Sequence, residues 1–412
     1  MTAVSFPERD DGIVLRSATP DDFDAIIARD EQAFSGSFDE EQRRRTRESF
    51  VFERFVVAID DTDLVGLAGS FDFDLTLPGG ATVPSAGTTW VSVAPTHRRR
   101  GITRDMLSWV HADAIERGAA AAELMASEGS IYERFGYGVA TRRRQVTIDR
   151  RIARLRPDVV DAALGTTRLV DPGSSIDAMH ERYDRARHRR HGELSRRRQW
   201  MADHLAQVKQ PFLALHDDGY VLWCVDEDWG DYDAQHTLRV VDLVAATPEA
   251  HRALWSLVMS IDLVRWVKSG RQLALDDPLP GLFVDQRSVQ TTALADFLWL
   301  NPLRCEVLLS ERRYRVSDEL VVDVLDPAST SSPASSERWR ISGGPDGAQC
   351  EPTEAEPDVT LSRAALGSLV LGGSTATELA ATDRLAVSAS TSLGRVDAFF
   401  GWAPLAHCAT EF

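Results

Sequence analysis

One order of local structure occurs twice in this sequence, and the repeat limits the folds that the chain can adopt. Residues 90–110 contain a strand that ends at Val93, a turn, and a helix with apolar residues on one face. Residues 240–262 contain a second strand, the helix start Thr247-Pro248-Glu249, and apolar residues spaced three and four apart. The pattern predicts an internal duplication of a unit in which strands and helices share one sheet.

Composition divides the chain into three segments, which we predict to be three domains. Residues 1–148 alternate strands with helices, residues 149–297 repeat that pattern, and residues 298–412 contain a polar excursion and then a helix. A length of 412 residues also favours several domains over one. The predicted fold class is α+β. A helix in the third segment, ended by Gly372 and Gly373, is predicted to have an apolar face of Leu361, Ala365, Leu366, Leu369 and Val370.

The charge of the chain restricts its partners. Its 46 basic and 63 acidic residues give a net charge of −17, which argues against nucleic acid or an anionic membrane and favours a cationic ligand. No apolar run approaches the roughly 18 residues of a membrane span, and no secretory signal is evident, so a cytoplasmic location is expected. The isolated cysteines predict neither a metal site nor a disulfide framework: Cys224, Cys305, Cys350 and Cys408.

Three successive arginines, Arg98 to Arg100, stand between the first repeated strand and its helix. Cations at a helix N-terminus meet the positive end of the helix dipole, so the arrangement is unfavourable unless an anion binds there. A pyrophosphate could be held by the free N–H groups of the helix and by the arginine side chains, with Gly101 allowing close approach. A solvated basic turn is the alternative that charge alone leaves open.

These residues resemble two landmarks of the GCN5-related N-acetyltransferase superfamily. Arg98-x-x-Gly101-x-Thr103 is similar to its Arg/Gln-x-x-Gly-x-Gly/Ala acetyl-CoA loop, although Thr103 departs from the last position. Tyr132-Glu-Arg-Phe-Gly136-Tyr137 is similar to Tyr-x-x-x-Gly-Phe/Tyr, which follows the next strand in that superfamily. With a second unit that lacks the loop and a sterol-carrier-like C-terminal helix, the whole chain resembles the Enhanced intracellular survival (Eis) family of actinobacterial aminoglycoside acetyltransferases.

The resemblance implies tandem acetyltransferase folds, the second degenerate, and a sterol-carrier-like domain whose end reaches the first active site. It also implies acetyl-CoA as cosubstrate without a metal, and a homohexamer. Tyr132 would protonate the departing CoA sulfur, and an ordinary tyrosine pKa near 10 suits an acid at neutral pH. Packing of Tyr132 in a core with Ile131 and Phe135 is the alternative. The residues expected to contact acetyl-CoA are Val91, Ser92, Val93, Arg98, Arg99, Arg100, Gly101, Ile102, Thr103, Arg104, Ser127 and Glu128.

The last residue of the sequence, Phe412, matches a final phenylalanine whose terminal carboxylate acts as the base in that family. A carboxylate with a pKa near 3.5 is too weak to deprotonate an ordinary ammonium group directly. It would therefore position the amine or a water, or act on an amine whose pKa is lowered by nearby cations. A frayed terminus is the alternative, but residues 398–412 are too apolar for a solvated tail. The acceptor pocket is expected to contain Asp30, Phe34, Trp90 and Glu411.

Three functions are therefore considered. The first is acetyl transfer from acetyl-CoA to one or more amines of an aminoglycoside-like polycation. The second is acetylation of protein lysines or N-termini by the same machinery. The third is lipid binding by the sterol-carrier-like domain, with an idle acetyltransferase fold. The intact Arg98-to-Thr103 loop together with Tyr132 favours an enzyme.

Overall fold

A computed structural model describes residues 4–163, 165–270, 273–326 and 336–412. These residues form two seven-stranded sheets and one five-stranded sheet, with helices packed against them. The fold is α+β, as predicted. In the first unit the elements are β1 (Val14–Ser17), α1 (Phe23–Phe34), α2 (Glu40–Ser49), β2 (Phe55–Asp60), β3 (Asp63–Thr76), β4 (Thr82–Val93), α3 (Ile102–Glu116), β5 (Ala121–Met125) and β6 (Gly138–Val139).

The second unit begins directly after β6. Its elements are β7 (Arg142–Asp149), α4 (Pro157–Ala163), β8 (Arg168–Val170), α5 (Ile176–Arg187), α6 (Arg198–Ala206), β9 (Phe212–His216), β10 (Gly219–Asp226), β11 (His236–Ala245), α7 (Pro248–Ser260), β12 (Val264–Ser269) and β13 (Val289–Asp296). Helix α7 begins where the sequence predicts, because the Thr247 side chain accepts a hydrogen bond from the Ala250 N–H and Pro248 occupies the first turn.

The remaining elements complete the first sheet and form the third unit. They are β14 (Leu298–Pro302), α8 (Cys305–Glu311), β15 (Asp318–Leu325), β16 (Ser336–Gly344), β17 (Gly347–Pro352), β18 (Val359–Ser362), α9 (Arg363–Leu369), α10 (Ala376–Ala380), β19 (Leu385–Val387) and α11 (Leu393–Phe400). The five-stranded sheet has the order β17-β16-β15-β18-β19.

The two larger sheets have the same topology, which confirms the predicted duplication. The first has the order β1-β2-β3-β4-β5-β14-β6, and the second β8-β9-β10-β11-β12-β7-β13. In each sheet, four antiparallel strands lead through one helix to a fifth strand that is parallel to the fourth.

The two sheets also exchange strands. After β6 the chain leaves the first sheet and adds β7 to the second, and after β13 it returns as β14, which pairs with both β5 and β6. The first sheet is therefore completed by a strand that follows the whole second unit in sequence. Domain boundaries after residues 148 and 297 stay predictions.

The parallel strands β4 and β5 are paired over a short stretch only. Ser85, Ala86 and Gly87 pair with Ala121, Ala122 and Glu123, and no further pairs form between these strands in the described structure. The second half of β4, from Thr88 onward, therefore separates from β5 and leaves a wedge-shaped gap. The gap exposes backbone N–H and C=O groups of β4 to a ligand.

The third unit shares one hydrophobic core with the first sheet. Leu75 of β3, Leu300 of β14 and Phe399 of α11 belong to the same buried cluster. Arg312 is fully buried, and its guanidinium donates to the carbonyls of Val370 and Phe400, which lie at the C-terminal ends of α9 and α11. This contact fixes the end of α11, from which residues 401–412 run toward the first sheet.

The helix predicted in the third segment is shorter than expected. Leu361 lies on β18, where it pairs with Val324 of β15, so its place on the helix was predicted wrongly. Helix α9 begins at Arg363 because the Ser362 side chain accepts from the Ala365 N–H. It ends at Leu369, and Gly372 adopts a left-handed φ of 70° shortly after, as a glycine can without strain. Among the described residues, no helix is both long and apolar enough to cross a membrane.

Candidate active site

A β-bulge shapes the open half of β4. In the pairing with β3, Leu67 opposes Ser92 and Gly69 opposes Thr89, so Ala68 faces both Trp90 and Val91. Trp90 takes a positive φ of 56°, which turns the strand at this point. Val91 and Val93 are half-buried, and the buried Ser92 hydroxyl has no hydrogen-bond partner among the described residues. The bulge thus presents this strand end to the gap.

The loop after β4 combines exposed cations with a helix N-terminus. Arg98, Arg99 and Arg100 are exposed, and Arg99 has a φ of 64°. Gly101 precedes α3 with a φ of 81°, and no side chain caps the helix there. The first-turn N–H groups of Ile102, Thr103 and Arg104 are therefore available to an anion. The Arg100 Nε donates to the Asp11 carboxylate at 3.1 Å, so this side chain also ties the N-terminal segment to the loop.

Tyr132 lies in the loop between β5 and β6. Its side chain is buried, and its ring meets the Tyr137 ring edge-on with centroids 6.1 Å apart. Burial raises the pKa of Tyr132, with a smaller opposing effect from the Ser127 hydroxyl and a further raising effect from Glu128. The group is therefore protonated at neutral pH, as a general acid must be.

The exchanged strand β14 supports the Tyr132 loop. Asn301 of β14 donates from its side-chain nitrogen to the Phe135 carbonyl at 3.0 Å. Gly136 has a φ of 90°, and a β-carbon there would stand 2.8 Å from the Asn301 side-chain oxygen. A glycine is thus required both by the backbone conformation and by the close approach of β14.

A buried polar group behind Tyr132 was not found by sequence reasoning. The Tyr137 hydroxyl lies 2.8 Å from the Thr88 hydroxyl of β4 and 2.8 Å from Nε2 of His111 on α3. Burial lowers the pKa of His111 to about 4, so its ring is neutral and can accept a hydrogen bond from Tyr137. The spacing of Tyr137 after Tyr132 was the available signal. The network fixes the loop against β4 and α3.

Phe412 lies on the inner face of the paired half of β4. A β-carbon at Gly87 would stand 2.6 Å from the Phe412 ring, and the ring centroids of Phe73 and Phe412 are 4.9 Å apart. A cavity of about 540 Å³, here called the tail cavity, opens beside it. Its lining residues are Met125, Ala126, Ser127, Arg143, Trp200, Asp203, His204, Gln207, Asp296, Phe297, Glu411 and Phe412.

The segment that leads to Phe412 is anchored by a buried network of the second unit. Arg196 and Asp242 form an ion pair at 2.6 Å with side chains 0% and 3% exposed. Arg196 donates further to the Thr410 hydroxyl and the Ala409 carbonyl, each at 3.0 Å. The Ala409 N–H donates to Glu193. Residues 406–410 are therefore a buried part of the fold.

Glu411 is held at the edge of the tail cavity. Its carboxylate lies 3.1 Å from the Arg143 guanidinium, and its backbone carbonyl accepts from the Trp200 indole N–H at 2.8 Å. Arg143 belongs to β7, and Trp200 belongs to α6. Both elements belong to the second unit, so that unit positions the end of the chain at the first sheet.

The other residues predicted for the acceptor pocket do not line the tail cavity. Asp30 lies on α1, where burial and the neighbouring Glu31 raise its pKa to about 6. Phe34, at the end of α1, is 49% exposed. Trp90 packs near Phe38, with ring centroids 6.0 Å apart. The structure brings Ser127, Glu411 and Phe412 together in one cavity but leaves Asp30, Phe34 and Trp90 outside its lining.

Two carboxylates of the tail cavity were missed by sequence reasoning. Asp203 lies on α6, and Asp296 ends β13, where it accepts from the Trp299 indole N–H at 2.6 Å. Both come from the second unit, and no local motif marks them. In the described residues, no group of three or more His, Cys, Asp and Glu side chains is arranged to hold a metal ion.

Three features together define a class of protein, the GNAT acetyltransferases. They are the duplicated sheets, the gap between β4 and β5, and the loop at the start of α3. Acetyltransferase (GNAT) domain families match residues 14–140 and 192–304, and a sterol carrier protein domain family matches residues 305–409. Acetyltransferases of this class use acetyl-CoA. The chain is therefore an acetyltransferase with two GNAT domains and a C-terminal sterol-carrier-like domain.

Similar proteins narrow the class. N-acetyltransferase Eis of Mycobacterium tuberculosis is 34% identical, with 97% of this chain and 100% of that protein covered. An uncharacterized N-acetyltransferase of Streptomyces avermitilis is 37% identical over 81% of this chain and 82% of its own length. The crystal structure of Eis1 from Mycobacterium abscessus superposes with a TM-score of 0.85 at 30% identity, covering 97% of this chain and 100% of that one. The chain belongs to the Eis family of N-acetyltransferases.

Proposed function

We propose that the protein acetylates primary amines of aminoglycoside-like polycations in the tail cavity. The charge of that cavity carries the proposal. Its lining contains the carboxylates of Asp203, Asp296 and Glu411 and one guanidinium, that of Arg143. Burial lowers the pKa of His204, so this side chain adds no charge at neutral pH. An excess of carboxylates in a cavity of this size attracts a molecule with several ammonium groups.

The gap between β4 and β5 supports binding of acetyl-CoA in the first unit. The backbone of Val91 to Val93 would pair with the pantetheine amides, and the N-terminus of α3 with Arg98 to Arg100 would hold the pyrophosphate. The fit rests on observed features: an uncapped helix start, and a buried Ser92 hydroxyl with no partner among the described residues. Ser127 and Glu128 would contact the cofactor at the end of β5.

Tyr132 and Phe412 are proposed as the acid and the base. Tyr132, buried and protonated, would donate a proton to the departing sulfur. The Phe412 carboxylate would hold the acceptor amine and receive its proton at the mouth of the tail cavity. Asp30, Phe34 and Trp90 are proposed to contact more distant parts of the acceptor. A homohexamer is proposed from the family resemblance, and light scattering of the purified protein tests its size. A cytoplasmic location is proposed as well.

Mass spectrometry of acceptor mixtures tests the proposed function. Purified protein with acetyl-CoA should add acetyl groups to an aminoglycoside much faster than to a lysine-containing peptide or a protein N-terminus. The variant Asp203→Asn with Asp296→Asn should raise the KM for the aminoglycoside, while the KM for acetyl-CoA stays unchanged. Exposed Asp231→Asn with Asp233→Asn is the control. Equal rates with the peptide, or tight binding of a fatty acyl ligand without any transfer, would contradict the proposal.

A linked test addresses the Phe412 carboxylate. A few residues added after Phe412 should abolish turnover and leave acetyl-CoA binding unchanged, because the cofactor contacts lie in the first unit. The same tag before the N-terminus is the control. Full activity of the C-terminally extended protein would remove Phe412 from the role of base.

A further inference from the structure

A buried carboxyl group lies on β5, beside Gly87 of β4. Glu123, in the middle of β5, is 0% exposed, and neither of its carboxyl oxygens has a hydrogen-bond partner of normal geometry among the described residues. An unpaired buried carboxyl group is costly, and such groups concentrate at functional sites. The roles already assigned to Tyr132, Phe412 and the loop do not use it.

The strand register places Glu123 on the same face as Phe412. Glu123 pairs with Gly87 of β4, and paired residues of neighbouring strands point to the same side of a sheet. At Gly87 that side is covered by the Phe412 and Phe73 rings. Met125, two residues after Glu123 and thus on the same face, lines the tail cavity. Glu123 therefore lies beside Gly87, on the face of the sheet that the Phe412 ring covers.

The groups around Glu123 are mostly neutral. Burial raises the pKa of Glu123 to about 8, against a smaller lowering effect of the buried Ser85 hydroxyl, two residues before Gly87 on β4. Cys408 of the tail and Tyr137 interact with Glu123 electrostatically, and burial raises the pKa of both above their ordinary values. Glu193 and Arg196 also interact electrostatically with Cys408. A carboxyl group in such surroundings is a far stronger base than an ordinary one.

We propose that Glu123 receives the proton of the acceptor ammonium through the Phe412 carboxylate. The inference rests on the proposed function, in which Phe412 holds the amine. The ammonium gives one proton to Phe412, and Phe412 passes it to ionised Glu123, which leaves a neutral amine to attack the thioester. The second nitrogen proton leaves the tetrahedral intermediate to Phe412, Tyr132 protonates the sulfur, and Tyr132 then recovers a proton. One proton in total is released per acetyl transferred.

This arrangement removes the mismatch between a weak base and a strong acid. A terminal carboxylate alone has a pKa several units below that of an ordinary ammonium group, so transfer to it is unfavourable. A receiving group with a pKa close to that of the amine makes the overall transfer nearly isoenergetic. Phe412 then contacts the acceptor amine, and Glu123 holds the transferred proton at a distance from that amine.

The pH dependence of kcat tests the proposal. Wild-type kcat should rise with pH through an ionisation near 8, and this step should stay at the same pH for two acceptors whose amines differ in pKa. Glu123→Gln should lower kcat on the order of 10²-fold and lose that step, with an unchanged KM for acetyl-CoA. Ser85→Ala, which removes a group that lowers the Glu123 pKa, should move the step to higher pH. Exposed Glu116→Gln is the matched control.

Each outcome of these measurements supports or overturns the role of Glu123. A folded Glu123→Gln protein that keeps the wild-type step near 8 overturns the proposal, whatever its kcat. If Glu123→Gln fails to fold, Ser85→Ala decides alone, and an unmoved step overturns the proposal. Wild-type protein that acetylates no amine contradicts the proposed function instead, so the two failures are distinguishable.

Discussion

The Phe412 ring lies directly on Gly87, where a β-carbon would stand only 2.6 Å from ring atom Cε2. A side chain at position 87 cannot coexist with this ring in its present place, and the Phe73 ring, 2.5 Å from the same point, leaves no room for it either. The absence of a side chain at one position of β4 thus makes room for the last residue beside the open half of the strand.

Replacement of Gly87 by alanine should displace Phe412 and lower kcat strongly, while the KM for acetyl-CoA changes little. The added methyl group requires a movement of aromatic rings in a packed interior, which costs about 1–3 kcal/mol. Steady-state kinetics and thermal unfolding provide the measurement. Gly394→Ala, at a helical position with no atom within 4 Å, is the control and should lower neither kcat nor the unfolding temperature. A wild-type kcat in Gly87→Ala would show that turnover does not depend on the position of Phe412.

Removal of two loop arginines should weaken binding of acetyl-CoA. In Arg99→Ala with Arg100→Ala, the KM for acetyl-CoA should rise by at least about tenfold, since each charge-assisted contact to phosphate contributes about 1.5–3 kcal/mol. Arg151→Ala with Arg239→Ala removes two exposed ion pairs of the second unit and serves as control. An unchanged KM for acetyl-CoA in the folded loop variant would support the alternative interpretation, in which the loop is only a solvated basic turn.

Tyr132→Phe should lower kcat by about 10²- to 10⁴-fold, because it removes a general acid. Binding of acetyl-CoA, measured by calorimetry, should be retained, since the hydroxyl acts only when the sulfur departs. Tyr232→Phe, at a fully exposed tyrosine, is the control. A kcat within about twofold of the wild-type value would show that Tyr132 is a core aromatic residue only.

Asp242→Asn should destabilise the protein and loosen the tail. It leaves the Arg196 guanidinium buried without its counter-charge, and breaking one side of a buried pair costs about 3–5 kcal/mol. The midpoint of chemical denaturation should fall, and kcat should fall with it because Arg196 also holds residues 409 and 410. Glu249→Gln breaks the exposed pair with Arg252 and should leave the midpoint of denaturation almost unchanged. Equal effects of the two variants would contradict the anchoring role.

Features that depend on neighbouring residues could be predicted from the sequence. The start of α7 at Thr247-Pro248, the loop before Gly101 and the place of Tyr132 after β5 are local, because capping, backbone freedom and motif spacing act over a few residues. The repeat itself was visible because both copies keep the same strand, turn and helix. The fold class followed from that repeat.

Features that depend on distant residues could not be predicted. The exchange of β7 and β14 joins strands separated by the whole second unit, and hydrophobic periodicity carries no information on strand partners. Asp203 and Asp296 reach the tail cavity only because α6 and β13 pack beside the first sheet. Leu361 was placed on a helix because its spacing to Ala365 fits one, but pairing with Val324 decided in favour of a strand.

The exchanged strands impose an order on biosynthesis. While the nascent chain leaves the ribosome, β5 and β6 have no strand between them until β14 has been made, and β7 already belongs to the second sheet. The first sheet therefore stays incomplete, with no strand between β5 and β6, while the second sheet assembles. Neither unit can be excised as a complete domain by cutting at a single linker. A protease cut between β6 and β7 would leave the two fragments joined, because β14, which follows the second unit in sequence, pairs with β5 and β6 of the first sheet.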